Sequence, residues 1–324
     1  MAQGFPREAR TVVITGGTSG IGLAAAAAVL ASHDRPWHVI LPVRDAGRGQ
    51  AVVDKLATDT APGSSVETMA LDLASFTSVR KFATDLTRRT ETGEIPPLYS
   101  LVCNAGVQMG TTSAHTVDGF ETTFGVNHLG HFVLVTALLP LLQAPARIVV
   151  TTSDTHDPAL RLSPAPAWND AKALARGELG PSAESATGLV LGQRRYSTSK
   201  LANIYFTYAL ARRLPDGVTA NAFNPGMVLG TGLGRSLPAP ARFVADHVLP
   251  RTTWLLRRVL TPNIHSAAES GGALAWLATA PELAGTTGRY FDGRTPIRSS
   301  QESYDVKRAE DLWTDSLHLT GMSA

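Results

Sequence analysis

The stretch Thr15-Gly16-Gly17-Thr18-Ser19-Gly20-Ile21-Gly22 decides the fold. Residues 11–15 (TVVIT) form a short β-branched run that reads as a buried strand, and residues 22–32 read as a helix. Glycines at 16, 20 and 22 give the spacing G-x-x-x-G-x-G between them. A tight turn at that place brings backbone N–H groups and a helix N-terminus close to a pyrophosphate, and a Cβ would obstruct the approach. The small side chains of residues 24–28 let the helix lie close to a sheet. A plain glycine-rich turn is the competing reading; the strand before and the helix after are the context that favours a dinucleotide site.

Outward from this loop, β-branched runs alternate with helical patterns. Strands are predicted at 37–43, 66–73, 98–104, 147–152, 218–223 and 289–291. Helices are predicted at 47–58, from a cap at Ser75 to about Arg89, over 119–142 with a break near its start, and at 197–214 and 266–278. Such alternation implies an α/β, Rossmann-type doubly wound parallel sheet covered on both faces. Residues 157–194, rich in Pro, Ala, Gly and Ser, and residues 227–265, rich in Pro and Leu, break the pattern. Loops of that length form functional lids or carry small helices of their own. Residues 302–319 place Tyr304, Val306, Leu312, Trp313 and Leu317 at helical spacing and read as a surface helix packed on the domain. A single domain over 1–324 with two insertions follows, because the motifs must converge on one sheet.

The 324 residues are 44% hydrophobic and 17% charged, which excludes disorder throughout, and a net charge of +2 with no long Lys/Arg block argues against a nucleic-acid partner. The one cysteine, Cys103, rules out an intramolecular disulfide and a cysteine-based zinc site, and inside a strand it reads as a small hydrophobe. Residues 1–10 carry Arg7, Glu8 and Arg10 and do not read as a signal peptide. The apolar run 132–142 contains Pro140 and falls short of the ~20 residues of a membrane span. The expectation is a soluble, cytoplasmic protein with no transmembrane segment.

Several side chains carry chemistry. The second strand ends Pro42-Val43-Arg44-Asp45. An arginine there suits a 2′-phosphate, with Arg48 a helical turn further on, and so favours NADP(H); Asp45 as a ribose ligand would favour NAD(H). Asp72 reads either as an acceptor for an adenine amino group or as a helix-capping aspartate. Tyr196 and Lys200 stand four apart at the start of a predicted amphipathic helix, on one face. A tyrosine is a poor acid or base at neutral pH until a nearby cation favours its phenolate, and Lys200 is that candidate. Ser153 ends the fifth strand, at the sheet edge where such folds place ligands. His128 and His131 have the look of a metal pair but no third ligand at a ligand spacing, so they read as structural. His156 is a candidate substrate contact, and Tyr205 and Tyr208 read as packing residues.

These motifs together resemble the short-chain dehydrogenases/reductases along nearly the whole chain: TGGTSGIG (15–22), Asp72-Leu73, Asn104-Ala105-Gly106, NHLGHF (127–132), Ser153, YSTSK (196–200) and Asn224-Pro225-Gly226. NHLGHF, Arg44-Asp45 and the tail (Ser299-Ser300-Gln301-Glu302, then Leu312-Trp313) are similar to the branch with retinol dehydrogenases, protochlorophyllide reductases and anthracycline-type ketoreductases. The resemblance implies that Asn127, Ser153, Tyr196 and Lys200 carry the chemistry: Tyr196 as proton donor, Ser153 on the substrate oxygen, Lys200 on the nicotinamide ribose and lowering the Tyr196 pKa, Asn127 positioning a water. It implies a cofactor held by Gly16, Thr18, Ser19, Gly20, Ile21, Gly22, Arg44, Asp72, Leu73, Asn104, Ala105, Gly106, Pro225, Gly226 and Val228. Ser153 and Tyr196 are 43 residues apart, wider than the family's usual separation. In the resembling carbonyl reductases an insertion here covers the helix face used for dimerisation, so a monomer or a homodimer is expected. Both insertions are expected to wall the substrate pocket. The expected activity is NADP(H)-dependent interconversion of a bulky lipophilic ketone or aldehyde and its alcohol. The alternatives are an NAD-linked oxidising dehydrogenase, reduction of a carbon–carbon double bond, and a non-catalytic NADP-binding regulator.

Overall fold

The structure, a computed structural model, describes residues 5–111, 114–161, 163–228 and 263–323, without the Arg48 side chain. Its strands are β1 (Arg10–Ile14), β2 (Trp37–Val43), β3 (Ser65–Ala70), β4 (Leu98–Cys103), β5 (Ala146–Thr151), β6 (Val218–Asn224), β7 (Met227–Val228), β8 (Ile264–His265), β9 (Tyr290–Asp292) and β10 (Thr295–Ile297). The helices are α1 (Gly20–Leu30), α2 (Ala46–Leu56), α3 (Phe76–Glu91), α4 (Thr122–Phe124), α5 (His131–Leu138), α6 (Ala171–Ala175), α7 (Gly188–Ala211), α8 (Ala267–Thr279) and α9 (Val306–Thr320). The main sheet runs β10-β9-β6-β5-β4-β1-β2-β3 and is parallel except for the β9–β10 pair.

The central strands β1, β2, β4, β5 and β6 are buried on both faces, so successive side chains feed two cores. Val13, Ile40, Leu101, Ile148 and Val150 point to the layer of α3, α5, α7 and α9; Val12, Ile14, Val39, Val102 and Val149 point to the layer of α1 and α8. Cys103 belongs to the first core, where burial pushes its thiol up and leaves it a small hydrophobe. The chain reverses direction across the sheet between β1 and β4, so the loops after these two strands part and leave a crevice at their carboxyl ends.

Four details differ from the sequence reading. Strand β3 stops at Ala70, which leaves Asp72 and Leu73 in the connection to α3. The β9–β10 hairpin was missed, although Asp292-Gly293 is a turn dipeptide; Pro296 is tolerated because β10 is the sheet edge. The helical stretch Thr122–Leu141 is 20 residues long and apolar, longer than the apolar run 132–142 read from sequence, but it is mostly buried inside the fold as a core helix. Its expected break is a π-helical turn at Gly125–Gly130. Helix α7 starts at Gly188 rather than near 197, so Tyr196 and Lys200 lie inside it and not at its start. Gly188 and Gly192 lower the local helix propensity, but Gly192 is required by packing: a Cβ there would stand 2.1 Å from the Met109 carbonyl oxygen and 2.3 Å from that of Gly110.

The first insertion carries small helices, as its length predicted, including α6 and the short turn Pro181–Ala183. Its middle packs along α7, where the Ala167 N–H donates to Thr198 Oγ1 (2.9 Å) and Trp168 meets the Tyr205 ring (4.8 Å between centroids), and Lys172 pairs with Asp315 of α9. The middle of the insertion thus covers α7 and reaches α9. Of the second insertion, β7 and β8 pair at its base; residues 229–262 lie outside the described residues. Helix α9 is more than a surface helix. Trp313 is 8% exposed and packs on Phe132 and Phe206, with the Arg213 guanidinium over its ring. Trp313→Ala should cost about 3–5 kcal/mol of unfolding free energy in urea titrations; a loss below about 1 kcal/mol would show that α9 is only laid on the surface.

Candidate active site

The cofactor cradle is built from the ends of β1 and β4. Thr15 closes β1, and its N–H donates to the Val102 carbonyl (3.0 Å). Its hydroxyl oxygen accepts the backbone N–H groups of Asn104 (2.9 Å) and Ala105 (3.0 Å), which locks the two loops together. A Cβ on Gly22 would lie 2.4 Å from the Gly16 carbonyl oxygen and 2.7 Å from Asn104 Nδ2, and Gly16 has φ +68°. The loop therefore needs glycine at both. Ser19 stands at the N-cap of α1 without a side-chain capping bond, and no acidic residue sits in the first turn. The first N–H groups of α1 thus point into a cradle without an internal anion, which fits a dinucleotide pyrophosphate. Thr18, Ser19, Gly20 and Ile21 form that turn; from the end of β4, Ala105 lies against Gly16 and Gly106 faces Asn127 and Lys200. Arg44 is exposed just after β2. Asp72 is neither free nor the helix cap: its Oδ1 accepts the Ala74 N–H (3.0 Å), while Ser75 caps α3. Leu73 is buried, and Pro225, Gly226 and Val228 follow the end of β6 on the same sheet edge.

The four expected catalytic residues meet beyond the ends of β4 and β5. Lys200, 2% exposed, donates from Nζ to the Thr151 carbonyl (3.1 Å) and lies 5.4 Å from the Tyr196 ring centroid. Burial brings its pKa down to about 8. Tyr196 stands one helical turn earlier, with its hydroxyl near Ser153. Asn127 is fully buried in the π turn. Its side chain grips Val107, accepting the N–H (2.8 Å) and donating to the carbonyl (2.9 Å), and donates to Ser199 Oγ (3.0 Å). Asn127 Oδ1 and Lys200 Nζ both face Gly106, each 3.5 Å from where a Cβ would be.

Family models described as short chain dehydrogenase and as AcuH dehydrogenase domain match residues 10–162 and 234–324. Human WW domain-containing oxidoreductase is 34% identical over 324 residues, covering 98% of this chain and 69% of the relative. Human retinol dehydrogenase 13 is 34% identical, covering 97% of this chain and 86% of its own. Chloroplastic protochlorophyllide reductase A of Triticum aestivum is 34% identical, covering 96% and 80%. A short chain dehydrogenase from Burkholderia cenocepacia, solved in complex with NADP, is 26% identical with a TM-score of 0.60, covering 87% of this chain and 94% of that one. The chain belongs to the short-chain dehydrogenase/reductase family. It is an oxidoreductase of the NAD(P)(H)-using kind.

In this short-chain dehydrogenase the expectation that Lys200 lowers the Tyr196 pKa is not met in the protein alone. Burial pushes the phenol up, the Asp154 carboxyl adds to that, and the Ser153 hydrogen bond only opposes it. The physical reason is burial: the cost of a phenolate in this site, with the Asp154 carboxyl nearby, outweighs what a cation 5.4 Å from the ring offsets. Tyr196 is thus held as a phenol.

Sequence reading also underrated two histidines. His156 is not a substrate contact; its Nδ1 lies 2.6 Å from the Ser153 carbonyl and its Nε2 accepts the Ser300 N–H (3.0 Å). His131 Nδ1 lies 3.2 Å from the Asn127 carbonyl and its Nε2 2.9 Å from Thr15 Oγ1. A carbonyl only accepts, so Nδ1 carries the proton in both and Nε2 is the acceptor. Each imidazole ties one catalytic residue's backbone to a distant element. His128 packs among Phe124, Phe132 and Phe206 and bonds Ser316 Oγ (2.8 Å). Asp154 was passed over, although it adjoins Ser153.

Burial brings His128 down to about 3 and His131 to about 4, from an ordinary 6.5. As pH falls below 6.5, the unfolded chain binds protons that the native protein refuses, so stability drops. Each histidine contributes a slope of up to about 1.4 kcal/mol per pH unit. Urea midpoints for His128→Phe should fall less steeply with acid than wild type; equal slopes would show that His128 is not held neutral.

Proposed function

We propose that this short-chain dehydrogenase is an NADP(H)-dependent reductase of bulky lipophilic ketones or aldehydes, working reversibly on the matching alcohols. The observation that carries the reading is the buried pair Tyr196 and Lys200 beside the half-buried Ser153 at the carboxyl end of β5, with Tyr196 kept as a phenol. A phenol that keeps its proton at neutral pH still gives it readily to a developing alkoxide, a far stronger base. The reduced nicotinamide, when bound, supplies the hydride to the carbonyl carbon. Tyr196 donates its hydroxyl proton to the carbonyl oxygen. Ser153 hydrogen-bonds that oxygen as its charge grows. Lys200, fixed on the Thr151 carbonyl, faces the Gly106 side of the cradle, where the ribose would be held.

Three features support the finer parts of the reading. Arg44, exposed at the end of β2, suits a 2′-phosphate, and the Burkholderia relative was solved with NADP. Leu189 and Val190, 56% and 45% exposed, lie in the first turn of α7 on the way to Tyr196, an apolar approach for a lipophilic substrate. The name retinol dehydrogenase for one relative points to the same substrate class. The covering of α7 by the insertion and α9 supports a monomer. Reduction of a carbon–carbon double bond is the second reading, favoured by the 34% identity to a protochlorophyllide reductase.

Tyr196→Phe should keep NADPH binding, followed by cofactor fluorescence, and lose turnover of a carbonyl panel by about 10²–10⁴-fold; unchanged turnover would remove Tyr196 from the chemistry. Arg44→Ala should weaken NADPH about tenfold and leave NADH unchanged. Equal losses for both cofactors would refute the phosphate role.

A further inference from the structure

The Ser153 hydroxyl has one hydrogen and two lone pairs, so the direction of that hydrogen decides what it can hold. The Thr155 N–H donates to Oγ (3.3 Å), and Oγ donates to Asp154 Oδ1 (3.2 Å). Asp154 is 7% exposed and held in place. Its N–H donates to Asn224 Oδ1 (3.1 Å), and Asn263 Nδ2 donates to its Oδ2 (3.4 Å). The ionisable groups that act on it come from two elements: Tyr196 of α7, and Tyr290 and Asp292 of β9. Asn224 joins Asp292 to the same network through Nδ2 (3.0 Å), and Lys200 is spent on Thr151. Among the described residues Asp154 has no ion-pair partner. Burial, with the Asp292 charge, raises its pKa against the opposing hydrogen bonds of Ser153 and Asn263.

We propose that Asp154 is a positioning residue that sets which way Ser153 donates, and so which of the two substrates the site holds better. Ionised, the carboxylate only accepts. It then keeps the Ser153 hydrogen, and Oγ offers the substrate a lone pair, which suits an alcohol hydroxyl. Protonated, the carboxyl donates to Oγ; with the Thr155 N–H on the other lone pair, the Ser153 hydrogen is released towards the substrate, which suits a carbonyl oxygen. The inference rests on the carbonyl–alcohol reading above. One equilibrium constant governs both directions of the reaction, so the effect falls on the KM of each substrate and not on the overall equilibrium.

Two measurements on the full-length protein test it. With the best carbonyl compound of the panel and its alcohol, KM for the carbonyl should rise about three- to tenfold as pH rises through the Asp154 titration located by its infrared band, and KM for the alcohol should fall by a similar factor. In Asp154→Asn, which does not titrate, both should be flat. A flat wild type, or the same pH dependence in Asp154→Asn, overturns the proposal. Infrared difference spectra of wild type against Asp154→Asn isolate the Asp154 carboxyl band without any substrate. Its titration midpoint should move up in Ser153→Ala, because the carboxylate loses a donor. An unmoved midpoint overturns the coupling. A moved midpoint with no turnover of any carbonyl or alcohol would uphold the coupling and reject the functional reading.

Discussion

A lysine ammonium buried at the end of β5, bonded to the Thr151 carbonyl, is the constraint around which the site is arranged. A buried cation is costly unless it finds partners, and its pKa falls accordingly. Asn203, on the same helix, donates to the same carbonyl (3.3 Å), so α7 is pinned to β5 at two points. A regular helix pinned there puts Tyr196 one turn away, over the crevice, and the missing Cβ of Gly106 leaves space on the open side. With burial keeping Tyr196 a phenol, acid and cation sit side by side without neutralising each other.

The two neutral histidines extend this arrangement to the rest of the molecule. His131 joins the π turn of Asn127 to Thr15, which itself binds the β4 loop. His156 joins Ser153 to the C-terminal tail at Ser300, and Tyr205 and Tyr208 hold that tail through Glu302 and Ser299. The cofactor cradle, the catalytic residues and the last segment of the chain are thus one polar network. Such a network is stiff only while every buried member is paired, which requires both rings to stay neutral.

The glycine loop and the order of strands were legible because they depend on local rules: period, turn chemistry and the need for a close backbone approach. Ser153, Tyr196 and Lys200 were legible because their spacing carries chemistry. The early start of α7 was not, since Gly192 is chosen by the backbone of Met109 and Gly110, far away in sequence. The histidine links and the Asp154–Ser153 contact were hidden for a similar reason. Nothing near His131 in the sequence points to Thr15, and only the folded sheet brings them within 2.9 Å. The direction of the Tyr196 shift depended on how deeply the ring is buried and on the Asp154 carboxyl near it, which spacing does not specify.

The account centres on transfer of hydride to a carbonyl carbon with proton donation from Tyr196. NADPH deuterated at the transferable C4 position, incubated with a carbonyl substrate of the panel, tests it most directly. The account predicts deuterium on the carbinol carbon of the product alcohol. Deuterium on a former alkene carbon, or none in the product, would contradict it.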